Sequence, residues 1–513
     1  MIATFATPDL ERFRALIVRC LGLQFEDAKL GFLADVLRRR LDATKEEPDL
    51  YLARLDAKAV PHEVVMLAQE LTVAETYFFR HVEQYRAFAE VALPDRLRYA
   101  QAAGGRLSVV STGCASGEEP YSLAITVRDT IPDRVDAVSI LGVDINPALV
   151  EKATHGRFSS WVLRDTPPDV QRRWFRAQGR EFVLDHTVRS SVRFEVCNLA
   201  DDTSELWRPH SHDIVFCRNV LMYFAPASAQ ALVSRIALSL RPGGYLFLGH
   251  AETLRGLSND FHLRHTHGTF YYQRKDRAEL GSALPAVVAP RAMSAGEPTP
   301  LADWVEGANT WIDTIQRASE RIRSLVESPS HAGSAPGASG SRRAKPAREI
   351  GLVLELLREE RFAEALEAVK ALPPESERDT EVLLLRAVLL THGGQLAVAE
   401  RACERLLEIN ELSAEAHYLL ALCREGVGDR AGSLYHDQVA VYLDPSFAMG
   451  HLHLGLIARR AQDLATARRE LEQAIALLER EDASRLLLFG GGFTRDALIG
   501  LCRGELLRCG GRP

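Results

Sequence analysis

Apolar residues recur at helical spacing over roughly the first 95 positions. Asp9-Leu10-Glu11-Arg12-Phe13 opens one amphipathic segment, with Leu10, Phe13, Leu16 and Ile17 on one face. A second runs over 27–41, where Leu30, Leu33, Ala34, Leu37 and Leu41 recur at i, i+3, i+4, i+7 and i+11. Near residue 105 the pattern changes. Short apolar runs at 107–110, 139–143, 192–197, 213–217 and 245–248 alternate with helical stretches such as 121–129 and 227–240. That alternation predicts a mostly parallel sheet covered by helices. The interval 157–190 does not fit a simple crossover. It holds Pro167-Pro168, a helical piece at 170–177 and a strand-like 181–184, and predicts an inserted subdomain.

Regularity is lost over 276–346. The segment 328–347 is rich in Ser, Gly, Ala and Pro and reads as a flexible linker, preceded by one candidate helix at 304–326. Beyond it a repeat appears. Ala365, Ala399, Ser433 and Ala467 are each 34 residues apart, as are Gly394 and Gly428. Leu385, Leu419 and His453 share a register, and so do Ala387, Ala421 and Gly455. Small residues at helix crossings with this period are the tetratricopeptide signature. The expected organisation is therefore an all-α domain over 1–95, an α/β domain over 96–275 with an inserted β-subdomain at about 157–190, a linker over 276–346, tetratricopeptide-like all-α repeats over 347–480 and a tail over 481–513.

Composition narrows the function. With 513 residues the chain is too long for one core. Its net charge of −7 argues against nucleic acid as the main partner. No basic, apolar leader opens the sequence, and the longest apolar run, 382–390, is broken by Arg386, so a cytoplasmic protein without membrane insertion is expected. The eight cysteines include no CxxC pair, which points to neither zinc nor a disulfide framework, and no metal is expected.

The candidate chemistry lies at strand ends. After the first strand comes Ser111-Thr112-Gly113-Cys114-Ala115-Ser116-Gly117-Glu118-Glu119, a glycine-containing loop opening a helix. It is a structural turn or a cofactor loop of an open α/β sheet. Neither GxGxxG nor GxxxxGK[ST] is present, which points away from nicotinamide cofactors and ATP. Asp144 ends the second strand, as a helix cap or an acceptor for ribose hydroxyls. With the glycine loop it suggests S-adenosylmethionine. Asn198 follows another strand and reads as a turn residue or a partner for an adenine edge. Cys217-Arg218-Asn219-Val220-Leu221-Met222-Tyr223-Phe224 lacks the Pro-Pro-aromatic tetrapeptide of amino-methylating enzymes, which lowers nucleic-acid N-methylation. Thr76-Tyr77-Phe78-Phe79-Arg80 reads as ordinary helix packing or as part of a site. The run Arg38-Arg39-Arg40, with Lys29, is a solvated helix end or a docking face.

Taken together, TYFFR, SGEEPYSLA, GVDIN, the Asn198-Leu199 pair, FCRNVLMYF and PGGYLFLGHAE resemble the CheR-type chemoreceptor glutamate methyltransferases over about 10–275. The repeats resemble those of members with a tetratricopeptide extension, some of which serve pathways with outputs other than motility. The resemblance implies a Rossmann-like methyltransferase domain that uses S-adenosylmethionine and releases S-adenosylhomocysteine. It implies Thr76, Arg80, Gly113, Glu118, Asp144, Asn198, Leu199, Arg218 and Asn219 around the cofactor, with Arg80 and Tyr223 at the methyl-transfer centre. It makes Lys29, Arg38, Arg39 and Arg40 a docking patch for the acidic cytoplasmic helices of a methyl-accepting chemoreceptor, and leaves recruitment to membrane receptor clusters open. Two positions depart from the family pattern: Ala74 stands where an asparagine is common, and Ala115-Ser116 where many members have Ser-Thr. The repeats imply a protein or peptide partner. The competing readings are an inactive scaffold working through its repeats and a methyltransferase for small molecules or nucleic acid.

Overall fold

The computed structural model describes residues 7–57, 61–72, 75–276 and 353–510, the last with breaks at 354, 358, 360, 373–378 and 492. Nearly all of the expected linker, with the candidate helix at 304–326, lies outside the described residues. The chain divides into two compact units, Met1–Gly281 and Ser282–Pro513.

The first unit begins with helices α1 (Thr7–Leu21), α2 (Leu30–Thr44), α3 (Pro48–Asp56) and α4 (Pro61–Leu71). The apolar stripes read from the sequence meet in one core of Phe13, Leu16, Ile17, Leu33, Leu37 and Leu67. Inside it Arg40 is buried, and its Nε and Nη2 donate to the two carboxylate oxygens of Glu63 at 2.7 and 2.9 Å. The Tyr51 hydroxyl donates to the same carboxylate at 2.8 Å. Arg40 therefore does not belong to an exposed docking patch: it bolts α2 to α4. Lys29 and Arg39 are exposed, and Arg38 is half-buried beside Asp35.

Among the described residues ten strands follow: Leu107–Thr112 (β1), Val138–Asp144 (β2), Arg157–Ser159 (β3), Phe175–Gln178 (β4), Glu181–Leu184 (β5), Val192–Val196 (β6), His212–Cys217 (β7), Leu240–Leu248 (β8), Phe261–Thr266 (β9) and Thr269–Arg274 (β10). Seven form one sheet in the order β6-β2-β1-β7-β8-β10-β9, with β10 antiparallel to both neighbours. The helices of this part are α5 (Val82–Ala87), α6 (Leu93–Ala102), α7 (Glu118–Thr130), α8 (Pro147–His155), α9 (Pro168–Trp174), α10 (His186–Arg189) and α11 (Pro226–Ser239). The chain runs outward from β1 through β2 to β6, then returns to β7 on the other side. The order thus reverses between β1 and β7, where open α/β sheets bind ligands.

The interval 157–184 forms a separate three-stranded sheet, β3-β5-β4. The helix expected over 170–177 stops at Trp174, because Phe175 pairs with Leu184 and packs edge-on against Phe78 at 4.9 Å. Sequence patterning missed the β9–β10 hairpin. Its two-residue turn, His267-Gly268, has both φ angles positive (55° and 71°), the turn that suits strand twist.

In the second unit the described helices are α12 (Phe362–Lys370), α13 (Thr380–His392), α14 (Leu396–Ile409), α15 (Ala414–Gly426), α16 (Arg430–Leu443), α17 (Ala448–Arg460), α18 (Leu464–Leu478), α19 (Ala483–Phe489) and α20 (Arg495–Arg508). Starts at Thr380, Ala414 and Ala448, and at Leu396, Arg430 and Leu464, keep the 34-residue period. Ala365, Ala399, Ser433 and Ala467 are buried where helices cross. The stretch expected as a tail carries α19 and α20, whose Leu486, Phe489, Leu498 and Cys502 join the repeat core.

His453 stands in the register of Leu385 and Leu419, yet it is a fully buried imidazole set between two carboxylates. Its Nδ1 lies 2.7 Å from Asp437 Oδ2 and its Nε2 3.1 Å from Glu425 Oε2, while Arg460 takes the other Glu425 oxygen. Burial opposes the imidazolium, but the two carboxylates outweigh it and hold the pKa up at about 9.

Two predictions follow from these buried pairs. Arg40→Ala leaves the Glu63 carboxylate buried beside Tyr51 alone. It should lower the opening free energy of α2 and α4 amides by about 3–5 kcal/mol in hydrogen exchange, whereas Lys29→Ala should stay within about 0.5 kcal/mol. The folded pKa of His453 lies above the ordinary imidazole value of about 6.5. Its stabilisation is therefore complete below that pH and is lost as pH rises through about 9. Melting of the repeat unit between pH 6 and 10 should fall over that window, and His453→Leu should flatten the fall.

Candidate active site

The loops after β1 and β7 begin with Gly113 and Arg218, and both line a cleft at the reversal point of the sheet. The Thr112 hydroxyl donates to the Phe216 carbonyl at 3.1 Å and locks the two strand ends together. Gly113 has φ +65°, and a Cβ there would meet Val220 Cγ2 at 2.6 Å. The wall is thus bare backbone by steric necessity.

Arg218 is the hub. Its side chain is 2% exposed, and Nη1 pairs with Glu119 Oε2 at 3.0 Å. Nη2 donates to the carbonyl of Arg80 at 2.5 Å, and Tyr85 hydroxyl stands 3.4 Å from Nη1. The segment 75–81 is irregular backbone, not the packed helix its sequence allowed. Phe78 N–H donates to the Val162 carbonyl and Phe79 N–H to the Ser122 hydroxyl, at 2.9 and 3.0 Å. Phe79 and His81 are held at φ 55° and 60°. Ala115 and Asn219, which line the cleft, share this positive-φ state at 45° and 57°, and Phe79 and His81 flank its lining residue Arg80. Strain of this kind persists only where surrounding contacts over-determine it.

The opposite rim is organised by Glu252. Its carboxylate accepts from the N–H groups of Asn219 (2.6 Å), Gly249 (2.8 Å) and Met222 (3.2 Å). Tyr223, 41% exposed, lines the cleft. Its carbonyl accepts from Gln24 N–H at 2.8 Å, and Leu23 bridges Phe224, so the end of α1 pins this rim.

The cleft wall therefore gathers Thr76, Arg80, Gly113, Arg218, Asn219 and Tyr223. Glu118, Asp144, Asn198 and Leu199 are not on it. Asp144 stands one layer back: Oδ2 accepts from Ala115 N–H and Oδ1 from Asn146 N–H, both at 2.9 Å. Burial raises its pKa against those hydrogen bonds. The helix-capping role falls to Asn146, which accepts from Ala148 and Leu149 N–H. Glu118 is fully buried, with its pKa raised by burial, and takes the Ser116 hydroxyl. Asn198 donates to the Cys20 carbonyl at 2.8 Å. Ala74 lies outside the described residues. Sequence reasoning missed Glu119 and Glu252. Glu119 was signalled by the need of a strand-end arginine for a carboxylate, and Glu252 by its place in the quoted GHAE run.

Residues 74–270 match the family described as CheR methyltransferase, SAM binding domain. A chemotaxis protein methyltransferase 2 from Vibrio cholerae is 34% identical over 271 residues, covering 52% of this chain and 92% of that protein. The chain belongs to the CheR methyltransferase family. It is accordingly an S-adenosylmethionine-dependent methyltransferase. A probable biofilm formation methyltransferase WspC from Pseudomonas putida is 28% identical over 466 residues, covering 90% of this chain and 97% of that one.

The walls of this CheR-family cleft fit S-adenosylmethionine on their own chemistry. Arg80 Nε is buried with no hydrogen-bond partner among the described residues, and so offers a donor to a carboxylate. Gly113 offers bare backbone to a close-lying nucleoside. Among the described residues no group of His, Cys, Asp and Glu could hold a metal ion, and no helix is long and apolar enough to cross a membrane.

Glu119→Gln keeps the shape but leaves the Arg218 guanidinium buried without an opposing charge. S-adenosylhomocysteine binding, measured by calorimetry, should weaken at least about tenfold, a change of about 1.4 kcal/mol.

Proposed function

We propose that this protein methylates glutamate side chains of a methyl-accepting chemoreceptor-type protein, giving methyl esters that adapt a chemosensory pathway. The observation that carries the reading is the cleft itself: Arg80, whose buried Nε has no hydrogen-bond partner among the described residues, and the partly exposed Tyr223 both line it. A glutamate side chain is ionised at neutral pH and needs no general base to act as nucleophile. Bound in the cleft, S-adenosylmethionine would supply a sulfonium-activated methyl group to the carboxylate oxygen. The chain's own task is alignment. In this reading Arg80 holds a carboxylate, Tyr223 orients the reacting oxygen, and Thr76, Gly113, Arg218 and Asn219 shape the pocket. Glu118, Asp144, Asn198 and Leu199 are assigned to the nucleoside and amino ends of the cofactor, Asp144 and Asn198 acting from behind the Ala115 and Cys20 backbone.

The cation face for an acidic receptor helix consists of Lys29, Arg38 and Arg39, without Arg40. WspC-type relatives match across the repeats as well as the catalytic unit, while the chemotaxis enzyme from Vibrio matches about half the chain. That coverage favours a receptor pathway whose output is biofilm formation. The protein then works in the cytoplasm, at receptor clusters.

Tritium transfer from labelled S-adenosylmethionine to membranes holding the organism's own receptors should give base-labile label on a receptor. Arg80→Ala should reduce its rate about 100-fold, the scale of loss expected from a misplaced reactant. Absence of label on every receptor, with S-adenosylhomocysteine binding intact, would overturn the glutamate-ester reading.

A further inference from the structure

In the repeat unit the first helices of successive pairs, α13, α15 and α17, share a face on which residues 481–489 of the same chain are seated. Stacked helical repeats present such concave faces to extended partners. Leu486 joins the repeat core, Leu487 and Leu488 pack against it, and three further side chains add ring or polar contacts. Phe489, 3% exposed, packs edge-on against Tyr418 of α15 and Phe447 at the start of α17, with ring centroids 6.2 and 5.4 Å apart. The Arg485 guanidinium lies 4.6 Å over the Phe447 ring and pairs with Asp444 at 2.7 Å. The Glu481 carboxylate accepts from Ala448 N–H at 3.1 Å.

The repeat register shows what is special here. Asp379, Ser413 and Phe447 are equivalent positions, each 34 residues apart, immediately before a first helix. Asp379 and Ser413 cap their own helices, accepting from Glu381 and Ala416 N–H. Phe447 has no side chain able to do so. Its ring is spent on Arg485 and Phe489, and Glu481 supplies the missing cap from outside. One repeat has thus exchanged a self-contained cap for contacts that exist only when the segment is seated.

Arg495 of α20 donates to the carbonyls of Leu478, Glu479 and Glu481 at 2.9, 2.7 and 2.7 Å. This closes the neck of the loop, so its departure need not unravel α18 or α20. Gly490 and Gly491 follow Phe489, and Gly491 takes the left-handed conformation at φ 63°. Seven residues of helix are too few to be stable unsupported.

We propose that this face is a peptide-binding groove, that residues 481–489 are its resident ligand, and that the partner of the repeat domain displaces them. The partner presents a short helical segment with an acid, an arginine and a phenylalanine at four-residue spacing. The groove reads these three with the α17 N-terminus, Asp444, and the Tyr418–Phe447 pair. The inference is independent of the methyl-transfer reading.

A fluorescein-labelled peptide copying residues 479–491 tests it on the full chain. The double variant Arg485→Glu, Phe489→Ala should bind this peptide saturably and at least tenfold more tightly than the unaltered chain, whose own segment competes at high effective concentration. A peptide carrying Phe489→Ala should not bind. Absence of binding to a double variant with unchanged far-ultraviolet dichroism would overturn the proposal. Concentration-dependent dimerisation of that variant in sedimentation would also do so, by making a second copy the occupant. Hydrogen exchange on the unaltered chain tests it without mutation. Amides of α19 should exchange at least tenfold faster than those of α18 and α20, and equal protection would make α19 part of the core and sink the idea.

Discussion

The catalytic unit depends on one buried cation. Arg218 sits at the tip of β7 with its side chain almost fully out of water. A guanidinium there is tolerable only if its charge is met, and Nη1 and Nη2 find partners while Nε has none among the described residues. Glu119 comes from the first turn of α7, the Arg80 carbonyl from the segment before α5, and Tyr85 from α5 itself. Satisfying one charge therefore fixes three chain segments around the reversal point between β1 and β7. The same constraint explains the strain at Phe79 and His81: their backbone turns so that the Arg80 carbonyl faces Arg218 while the Arg80 side chain faces the cleft.

The sheet was legible because its central strands β1, β2 and β7 are buried on both faces and read as apolar runs, and the repeats because small residues at helix crossings must recur with the unit. The hairpin of β9 and β10 escaped notice because it lies where the alternating strand–helix rhythm has ended. Within the site, residues on strand-end loops were readable from motif and position. Burial was not readable. Arg38, Arg39 and Arg40 look alike in sequence, yet the rotation of α2 turns Arg40 inward onto Glu63. Likewise Glu118 and Glu119 are neighbours in one motif, and only the fold sends Glu119 to Arg218 and seals Glu118 within the protein.

The repeat unit follows the same logic of satisfied burial. His453 replaces an apolar residue of the pattern and is accepted because Asp437 and Glu425 face it from α16 and α15. Phe447 replaces a cap and is accepted because Glu481 stands in. In both places the departure from the repeat is repaired by a group from another helix or segment. Deviations from a repeat thus mark where units depend on one another.

The buried carboxylates of the catalytic unit bear on the proposed chemistry. Asp144, Glu252 and Glu119 are spent on backbone N–H groups or on Arg218, and none stands in the cleft as a free base. His81 is pushed down to about 4 by burial, by Arg218, His250 and Arg80, so it is neutral at physiological pH. A site meant to deprotonate a hydroxyl or an amine would need a base tuned near neutrality. This cleft instead spends Glu119 and Arg218 on holding shape, with Glu75 the further carboxylate on its wall, and keeps the Nε donors of Arg80 and Arg218 buried without a hydrogen-bond partner among the described residues. That division suits a nucleophile that arrives already charged, and among protein side chains a carboxylate meets that condition at neutral pH without assistance.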